Sequence, residues 1–173
     1  MILRVGLGYD VHAFTADRPL VLGGVVLPGP GLAGHSDADV AAHVVADALL
    51  GAAGFDDLGT LFPASDERWR GVASLDLLRE VAALLREAGW RVVNVDVVLN
   101  VEQPRLAPHV AEMRRNLSGA LDAARATDDV PITVKPKRGE GIGLVGRSEG
   151  IQGWAVALLQ RADEPVPAAE SGP

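Results

Sequence analysis

Asp10, His12 and His43 are the residues of this chain whose types and spacing best suit metal chemistry. Asp10 and His12 lie two residues apart on a strand-like apolar segment, so their side chains point to the same side of the backbone. With His43 they form a set of one carboxylate and two imidazoles, which suits zinc and leaves a fourth ligand position open. Spacing alone leaves an alternative, in which a solvated carboxylate and packed histidines are each satisfied by hydrogen bonds.

The segment that carries His43 is predicted to be a largely buried helix with a polar stripe. Asp39, His43 and Asp47 recur every four residues and therefore project from one side of a helix. Ser36 is predicted as the N-cap, with Asp39 closing a capping box three residues later. We predict that the stripe faces the metal, with Asp39 or Asp47 accepting the spare imidazole N–H of His43. Alternatively these acids bind a substrate hydroxyl or are simply exposed.

Two further groups of polar residues suit an anionic ligand. His35 and Ser36 lie at the predicted helix N-terminus, where free backbone N–H groups and the helix dipole attract phosphate. A basic cluster beside Glu140 can clamp a diphosphate, with Glu140 holding a second cation. The members of the cluster are Lys135, Lys137 and Arg138. The alternative in both cases is an ordinary solvated loop.

Hydrophobic periodicity predicts the elements that must position these residues. Strands are predicted over residues 2–11, 19–22, 25–28, 91–101, 131–135 and 151–159. Helices are predicted from Ser36 to about residues 51–54, from a Ser74 cap to residue 89, and from residue 108 to about 124. Residues 151–159 suit a helix or a strand, and we favour a strand because it completes a mixed sheet with helices on one face.

The predicted fold class is therefore α+β, with one domain over residues 1–161. Residues 162–173 are rich in Pro, Ala, Glu, Ser and Gly, and we expect them to form a disordered tail. The chain has 173 residues, of which 48% are hydrophobic, so it can bury a substantial core.

Composition narrows the class of protein further. The formal net charge of -7 argues against nucleic-acid binding, although bound cations would still allow an anionic substrate. The chain contains no cysteine, so any zinc must use His and carboxylate ligands. Because we find neither an apolar run long enough to cross a bilayer nor a signal peptide, we expect a cytoplasmic protein without a membrane partner.

Several motifs occur together in one order along the chain. They are Gly8-Tyr9-Asp10-Val11-His12, Gly34-His35-Ser36-Asp37-Ala38-Asp39 with His43, Asp57-Leu58-Gly59 with Leu61-Phe62-Pro63, and Gly146-Arg147-Ser148-Glu149-Gly150-Ile151. From residue 1 to about 160 the chain resembles the 2-C-methyl-D-erythritol 2,4-cyclodiphosphate synthases of the non-mevalonate isoprenoid pathway. The resemblance implies a homotrimer with active sites between subunits.

The resemblance also implies a reaction and its metals. The substrate would be 4-diphosphocytidyl-2-C-methyl-D-erythritol 2-phosphate, which cyclises to the 2,4-cyclodiphosphate and releases CMP. Asp10, His12 and His43 would be the zinc ligands, with the substrate β-phosphate as the fourth. Glu140 would hold a Mg²⁺ or Mn²⁺ ion that bridges the α- and β-phosphates.

Further residues match substrate contacts of that family. The resemblance implies that His35 and Ser36 contact the phosphates and erythritol, and that Asp57 and Gly59 contact the methylerythritol, with Asp47 beside it. Residues 101–107, including Arg105, would form the cytidine pocket. Arg147 and Glu149 would line a trimer cavity that can hold an isoprenoid diphosphate. Leu144 stands near that cavity where an aromatic residue is common.

One loop departs from the family pattern. Pro136-Lys137-Arg138-Gly139 stands where an Ala-Thr-Thr-like run is usual, so a backbone donor and two hydroxyls are missing. We predict that Lys137 and Arg138 compensate electrostatically. Two other functions stay open: a zinc-dependent phosphohydrolase, in which water attacks and a free carboxylate acts as base, and a non-catalytic trimeric protein that binds a metal or ligand.

Overall fold

A five-stranded mixed sheet forms the centre of the molecule. The structure, a computed structural model, describes residues 1–121 and 130–162. Its strands are β1 (Ile2–Leu22), β2 (Val25–Leu32), β3 (Arg91–Asn100), β4 (Ile132–Lys137) and β5 (Gly150–Arg161). Their order across the sheet is β2-β1-β5-β3-β4. The β3–β4 pair is parallel, and the β1–β2, β1–β5 and β3–β5 pairs are antiparallel.

The helices pack against one face of this sheet. They are α1 (Val40–Ala53), α2 (Leu58–Leu61), α3 (Ser74–Glu87), α4 (Val110–Leu121) and α5 (Gly143–Gly146), with 3₁₀ turns at Glu67–Trp69 and Ala107–His109. Helix α1 lies directly on β1 and β5, α3 packs on α1, and α4 packs on α3 and β4. The predicted α+β class, with a mixed sheet and helices on one face, is confirmed.

Glycine in β1 allows α1 to lie against the strand backbone. A Cβ atom at Gly6 would lie 1.9 Å from the Ala48 carbonyl oxygen, and one at Gly8 would lie 2.0 Å from that of Val44. No side chain fits at these distances, so the helix backbone takes the place that strand side chains usually fill. Alternate β1 residues on the other face remain free to be large.

Within residues 1–121 and 130–162, that other face of the sheet is apolar and uncovered. Leu7 is 67% exposed and is paired across the strands with Val156, which is 44% exposed. Tyr9 pairs with Trp154 at a ring separation of 5.4 Å. The exposed apolar residues of this face are Leu3, Val5, Leu7, Tyr9, Val11 and Val156. Apolar patches of this kind mark interaction surfaces on soluble proteins.

Four of the five strands run further than their apolar patterns predict, and β3 ends one residue earlier than predicted. Strand β1 continues through His12 to Leu22, because its first part pairs with β5 and its second part pairs with β2. Strand β4 extends through Pro136, which its position at the sheet edge permits since an edge strand can leave one N–H position unpaired. The strand favoured for residues 151–159 is confirmed as β5.

The start of α1 differs from the prediction. Its N-cap is Asp39, not Ser36, and the Asp39 carboxylate accepts the N–H groups of Ala41 at 3.0 Å and Ala42 at 3.2 Å. The same carboxylate accepts both amides of the Gly23–Gly24 turn, at 2.8 and 2.7 Å. The predicted capping box is therefore wrong, because Asp39 connects the helix start to the β1–β2 turn.

Some predictions fall on short elements or outside the described residues. Helices α2 and α5 lie in stretches for which we predicted neither a helix nor a strand. The predicted helix end near residue 124 and the tail after residue 162 lie outside the described residues. Within residues 1–121 and 130–162, no helix is long and apolar enough to span a membrane.

The close contact between β1 and α1 predicts opposite effects for two glycine-to-alanine changes. Gly6→Ala should lower the free energy of unfolding by about 2 kcal/mol, because its methyl group meets the backbone of α1. Gly51→Ala should raise it by about 0.5–1 kcal/mol, since Gly51 lies within α1 with open space around it. Urea unfolding measures both, and equal effects of the two changes would contradict the packing described here.

Candidate metal centre

Strand β1 and helix α1 bring Asp10, His12 and His43 together as their spacing predicts. Asp10 Oδ2 lies 3.0 Å from His12 Nε2 and 2.9 Å from His43 Nδ1. One ligand atom from each residue lies within 4.8 Å of the other two, which is a separation that a single bound cation can bridge. All three side chains are partly buried and could hold a metal ion.

The charges of the three residues favour a cation. Burial acts to raise the pKa of Asp10, but hydrogen bonds and charge from His12 and His43 outweigh it and hold that pKa well below its usual range. Burial acts to lower the pKa of His12, but its hydrogen bond and charge interaction with Asp10 raise that pKa above the ordinary value. Asp10 is thus ionised at neutral pH, and a proton on His12 is the competitor that a metal must displace.

Each imidazole is oriented by a group on its far side. His12 Nδ1 contacts the Ala33 carbonyl oxygen, which leaves Nε2 directed at Asp10. His43 Nε2 lies 3.1 Å from Ser36 Oγ and 2.9 Å from Ser74 Oγ, which leaves Nδ1 directed at Asp10. Such outer partners are typical of metal-binding histidines, because they select the tautomer and fix the ring.

The predicted partner of the spare His43 nitrogen is wrong. That nitrogen lies against two serine hydroxyls, whereas we predicted Asp39 or Asp47. Asp39 is turned towards the β1–β2 turn, and Asp47 Oδ1 accepts the Leu58 N–H at 2.9 Å. The four-residue spacing of Asp39, His43 and Asp47 predicted one polar stripe. Asp39 precedes the first helical residue, Val40, so it does not belong to that stripe.

A cavity of about 240 Å³ opens beside the three residues. Among its lining residues are Asp10, His35, Ser36, His43, Asp47 and Gly59. Burial, together with the charge of Asp57, raises the pKa of Asp47 despite the Leu58 hydrogen bond. Asp57 itself caps α2 by accepting the Thr60 N–H at 2.7 Å. Most of the predicted metal and methylerythritol contacts therefore border one cavity.

His35 and Ser36 border this cavity for a different reason than predicted. Helix α1 begins at Val40, so neither residue lies at its N-terminus, and the predicted helix-dipole contact to phosphate is wrong. His35 Nε2 lies 3.3 Å from the Asp66 carbonyl oxygen. Ser36 Oγ accepts the Ala38 N–H at 3.1 Å, in a turn that precedes the cap.

A second cavity, of about 400 Å³, lies at the far edge of the sheet. It is lined by residues around Arg105 and by the loop that carries Arg138 and Glu140. Arg138 Nη2 lies 2.5 Å from Glu102 Oε1, and Glu102 Oε2 accepts the Gly139 N–H at 3.0 Å. The predicted compensation by Arg138 is thus limited, because its charge is already paired.

Glu140 and the residues after it complete this region. Glu140 has a φ of 51°, a left-handed conformation that is uncommon for residues other than glycine. Leu144 and Arg147 line neither of the two cavities. Arg147 Nε donates to Glu149 Oε1 at 2.7 Å, so this predicted ligand-binding pair is an exposed ion pair in the single chain.

The two cavities are separated by the width of the sheet. One cross-strand row runs from Val11 on β1 through Gln152 and Asn100 to Lys137 on β4. Three strand spacings amount to about 14 Å along the sheet, and Glu140 lies beyond the end of that row. Within one chain, Glu140 is therefore far from Asp10 and His12.

The sequence patterns did not predict the contacts that Ser74 and Glu102 make. Ser74 was predicted to cap α3, but the N-cap position is Ala73 and Ser74 is the first helical residue. It is 1% exposed and directed at His43. No local sequence pattern indicates the ion pair of Glu102, because its partner Arg138 is 36 residues away.

The family is now decided by comparison with known sequences. The sequence profile of the YgbB family matches residues 3–160. The chain belongs to the YgbB family. It is 49% identical over 161 residues to the 2-C-methyl-D-erythritol 2,4-cyclodiphosphate synthase of Syntrophomonas wolfei, covering 92% of this chain and 100% of that one. The resemblance seen in the motifs is confirmed.

Some relatives are bifunctional enzymes that are longer than this chain. The chain is 55% identical over 160 residues to the bifunctional enzyme IspD/IspF of Anaeromyxobacter dehalogenans, covering 92% of this chain and 40% of that one. The chain thus spans about 40% of the length of such relatives.

Solved structures of relatives share this fold. The bifunctional IspDF of Campylobacter jejuni superposes with a TM-score of 0.86 at 37% identity, covering 94% of this chain and 43% of that one. A CDP complex of IspF from Plasmodium falciparum superposes with a TM-score of 0.78 at 31% identity, covering 93% and 97% of the two chains.

Removal of one imidazole tests whether these residues bind a metal. His43→Ala should lose zinc, because two remaining side chains cannot complete a tetrahedral site. His109→Ala is the matched control, since His109 lies on a 3₁₀ turn outside the cavity and should leave zinc content unchanged. Metal analysis after dialysis measures both, and stoichiometric zinc retained in His43→Ala would disprove the ligand assignment.

Zinc affinity should also depend on pH. The raised pKa of His12 means that a proton competes with the metal below that pKa, which lies above the ordinary histidine value. The zinc dissociation constant should therefore rise as pH falls through this range, by up to about tenfold per pH unit for the one proton that the metal displaces. A chelator competition titration measures it, and a constant affinity over this range would contradict the prediction.

Proposed function

We propose that this chain catalyses cyclisation of 4-diphosphocytidyl-2-C-methyl-D-erythritol 2-phosphate to 2-C-methyl-D-erythritol 2,4-cyclodiphosphate with release of CMP. The observation that carries the proposal is the Asp10, His12 and His43 cluster, open to a cavity, in a chain of the YgbB family. The name of the Syntrophomonas wolfei relative supports the product, and the CDP in the Plasmodium falciparum complex supports a diphosphocytidyl ligand.

The proposed reaction is an intramolecular transfer of phosphorus. An oxygen of the substrate 2-phosphate attacks the β-phosphorus and forms a new P–O bond. The bond from the β-phosphorus to the bridging oxygen breaks, and the electron pair leaves with CMP. Because the nucleophile is already an anion, the protein needs to orient the substrate and offset charge more than to remove a proton.

The residues of the first cavity would hold and orient the phosphates. A divalent cation bound by Asp10, His12 and His43 would polarise the β-phosphate, and a second at Glu140 would offset charge on the departing CMP. His35 and Ser36 border the cavity where the phosphates would lie, and Asp47 and Gly59 border the part proposed for methylerythritol. This arrangement lets a chain of net charge -7 bind a polyanion, because the cations make the local electrostatic potential positive.

We also propose a homotrimer with active sites between subunits. Two observations support it. The separation of about 14 Å between the Asp10 cluster and the Glu140 loop is too large for both to contact one diphosphate within a single chain. The uncovered apolar face of β1 and β5 offers a surface that association would bury. An isoprenoid diphosphate near Arg147 stays a prediction.

A zinc-dependent phosphohydrolase is the second candidate function. Asp47 favours it, since this carboxylate borders the same cavity and burial raises its pKa, as a general base requires. Water would then replace the 2-phosphate as nucleophile. A non-catalytic trimeric protein would share the metal site and show no turnover.

One assay separates the three functions. The chain should convert the diphosphocytidyl substrate to a cyclic diphosphate and CMP in the presence of zinc and magnesium, as followed by phosphorus NMR. Linear phosphate products would support the hydrolase, and absence of turnover with a zinc-loaded chain would support the non-catalytic function. His109→Ala is the control that should retain activity.

Mixed variants test whether an active site uses two subunits. His43→Ala damages one half of the proposed site and Glu140→Ala damages the other, so each variant alone should be inactive. Co-expressed in equal amounts, they should regain about a quarter of wild-type activity, because that fraction of interfaces pairs two intact halves. No recovery in demonstrably mixed trimers would show that both halves belong to one chain.

A further inference from the structure

We propose that Ser74 and Asp37 position His43 for metal binding, by keeping a proton on Nε2 so that Nδ1 is the ligating nitrogen. The inference rests on the proposed metal site, but it is independent of the cyclisation reaction. Neither residue belongs to the predicted ligand set. Both act through His43, so they are positioning residues.

Counting protons along the contacts gives the tautomer. Asp37 Oδ1 can only accept, and Ser74 Oγ lies in close hydrogen-bond contact with it, so the single hydroxyl proton of Ser74 is donated to Asp37. Ser74 Oγ then has no proton left to donate, so it can only accept in its contacts with His43 Nε2 at 2.9 Å and Ser36 Oγ at 3.1 Å. His43 Nε2 therefore carries a proton, and its Nδ1 lone pair is available on the side of Asp10.

The neighbouring Ser36 hydroxyl is compatible with a proton on His43 Nε2. Ser36 Oγ accepts the Ala38 N–H at 3.1 Å and lies 3.1 Å from both Ser74 Oγ and His43 Nε2. It can thus share the Nε2 proton as a second acceptor. Ser36 also borders the cavity, so its own hydroxyl proton can be donated to a ligand.

Asp37 and Ser74 are held in place independently of His43. Asp37 Oδ1 also accepts the backbone N–H groups of Ser74 at 3.1 Å and Asp39 at 3.2 Å. Ser74 is 1% exposed at the first position of α3, and Asp37 N donates to the Val72 carbonyl oxygen at 3.0 Å. The start of α3 and the turn before α1 therefore form a rigid acceptor against which the His43 ring is set.

The expected effect is on metal affinity. Loss of an outer hydrogen-bond partner of a metal-binding histidine typically weakens metal binding by about 10–100-fold, because ring orientation and basicity both suffer. Ser74→Ala should therefore raise the zinc dissociation constant by about tenfold or more. Ser74→Thr, which keeps a hydroxyl, should restore part of the loss.

Ser118→Ala is the matched control for Ser74→Ala. Ser118 is also a buried helical serine, 8% exposed, and its hydroxyl donates to the Val130 carbonyl oxygen at 3.0 Å, away from the metal site. Zinc titration against a competing chelator, with circular dichroism to verify folding, compares the two variants. Affinity unchanged in Ser74→Ala, or lowered equally in Ser118→Ala, would overturn the proposal.

A measurement on the unmodified chain tests the same point without a variant. Nitrogen-15 NMR of the four histidines in the zinc-loaded chain should show His43 with zinc on Nδ1 and a proton on Nε2. Zinc on His43 Nε2 would overturn the positioning role even if Ser74→Ala failed to fold. A wild-type chain that binds no zinc would refute the metal site itself, whereas tight zinc binding with the wrong tautomer would refute only the role of Ser74 and Asp37.

Discussion

The close contact between β1 and α1 is the constraint on which the rest of the structure depends. Gly8 lies against the carbonyl of Val44 at a distance that no side chain would allow. His43 is the residue before Val44, and Asp10 and His12 follow Gly8 on alternate positions of the same face of β1. The absence of a Cβ at Gly8 therefore sets how closely the helix can bring one imidazole to the carboxylate and imidazole of the strand. The ligand cluster is a consequence of backbone packing as much as of ligand chemistry.

Around this contact, the polar groups are arranged so that each has one defined function. Asp39 is fully buried and accepts hydrogen bonds from four backbone N–H groups, so it connects α1 to the β1–β2 turn and is not available to a cation at Asp10, His12 and His43. Asp10 keeps its charge because two imidazoles surround it. Asp47 is the acid of the cavity whose charge is least compensated, since burial raises its pKa. A cation at Asp10 would lower that cost, because the two carboxylates border the same cavity.

The sequence predicted the features that local periodicity controls. The period of two placed Asp10 and His12 on one face of a strand, and the motifs placed His43 with them. The errors concern groups whose partners are distant along the chain. Asp39 was assigned to the helix stripe because no local pattern indicates its contact with Gly23–Gly24. Ser74 was predicted to be a helix cap because its partner, His43, lies 31 residues earlier in the chain. Hydrogen-bond partners brought together by packing are visible only once the elements are in place.

The two faces of the sheet differ in character, and the active site proposed between subunits depends on both. Its inner face is covered by α1 through glycines, whereas its outer face presents Leu7, Tyr9 and other large apolar residues. Asp10 and His12 lie on β1 with His43 on α1 beside them, and the Glu140 loop follows β4 at the edge beyond β3. Three strand spacings separate these two regions within one chain, which is too far for both to contact one diphosphate. In the homotrimer that we propose, association through the outer face would place the β1 region of one copy beside the β4 edge of another, and the burial of that face would then also complete the site.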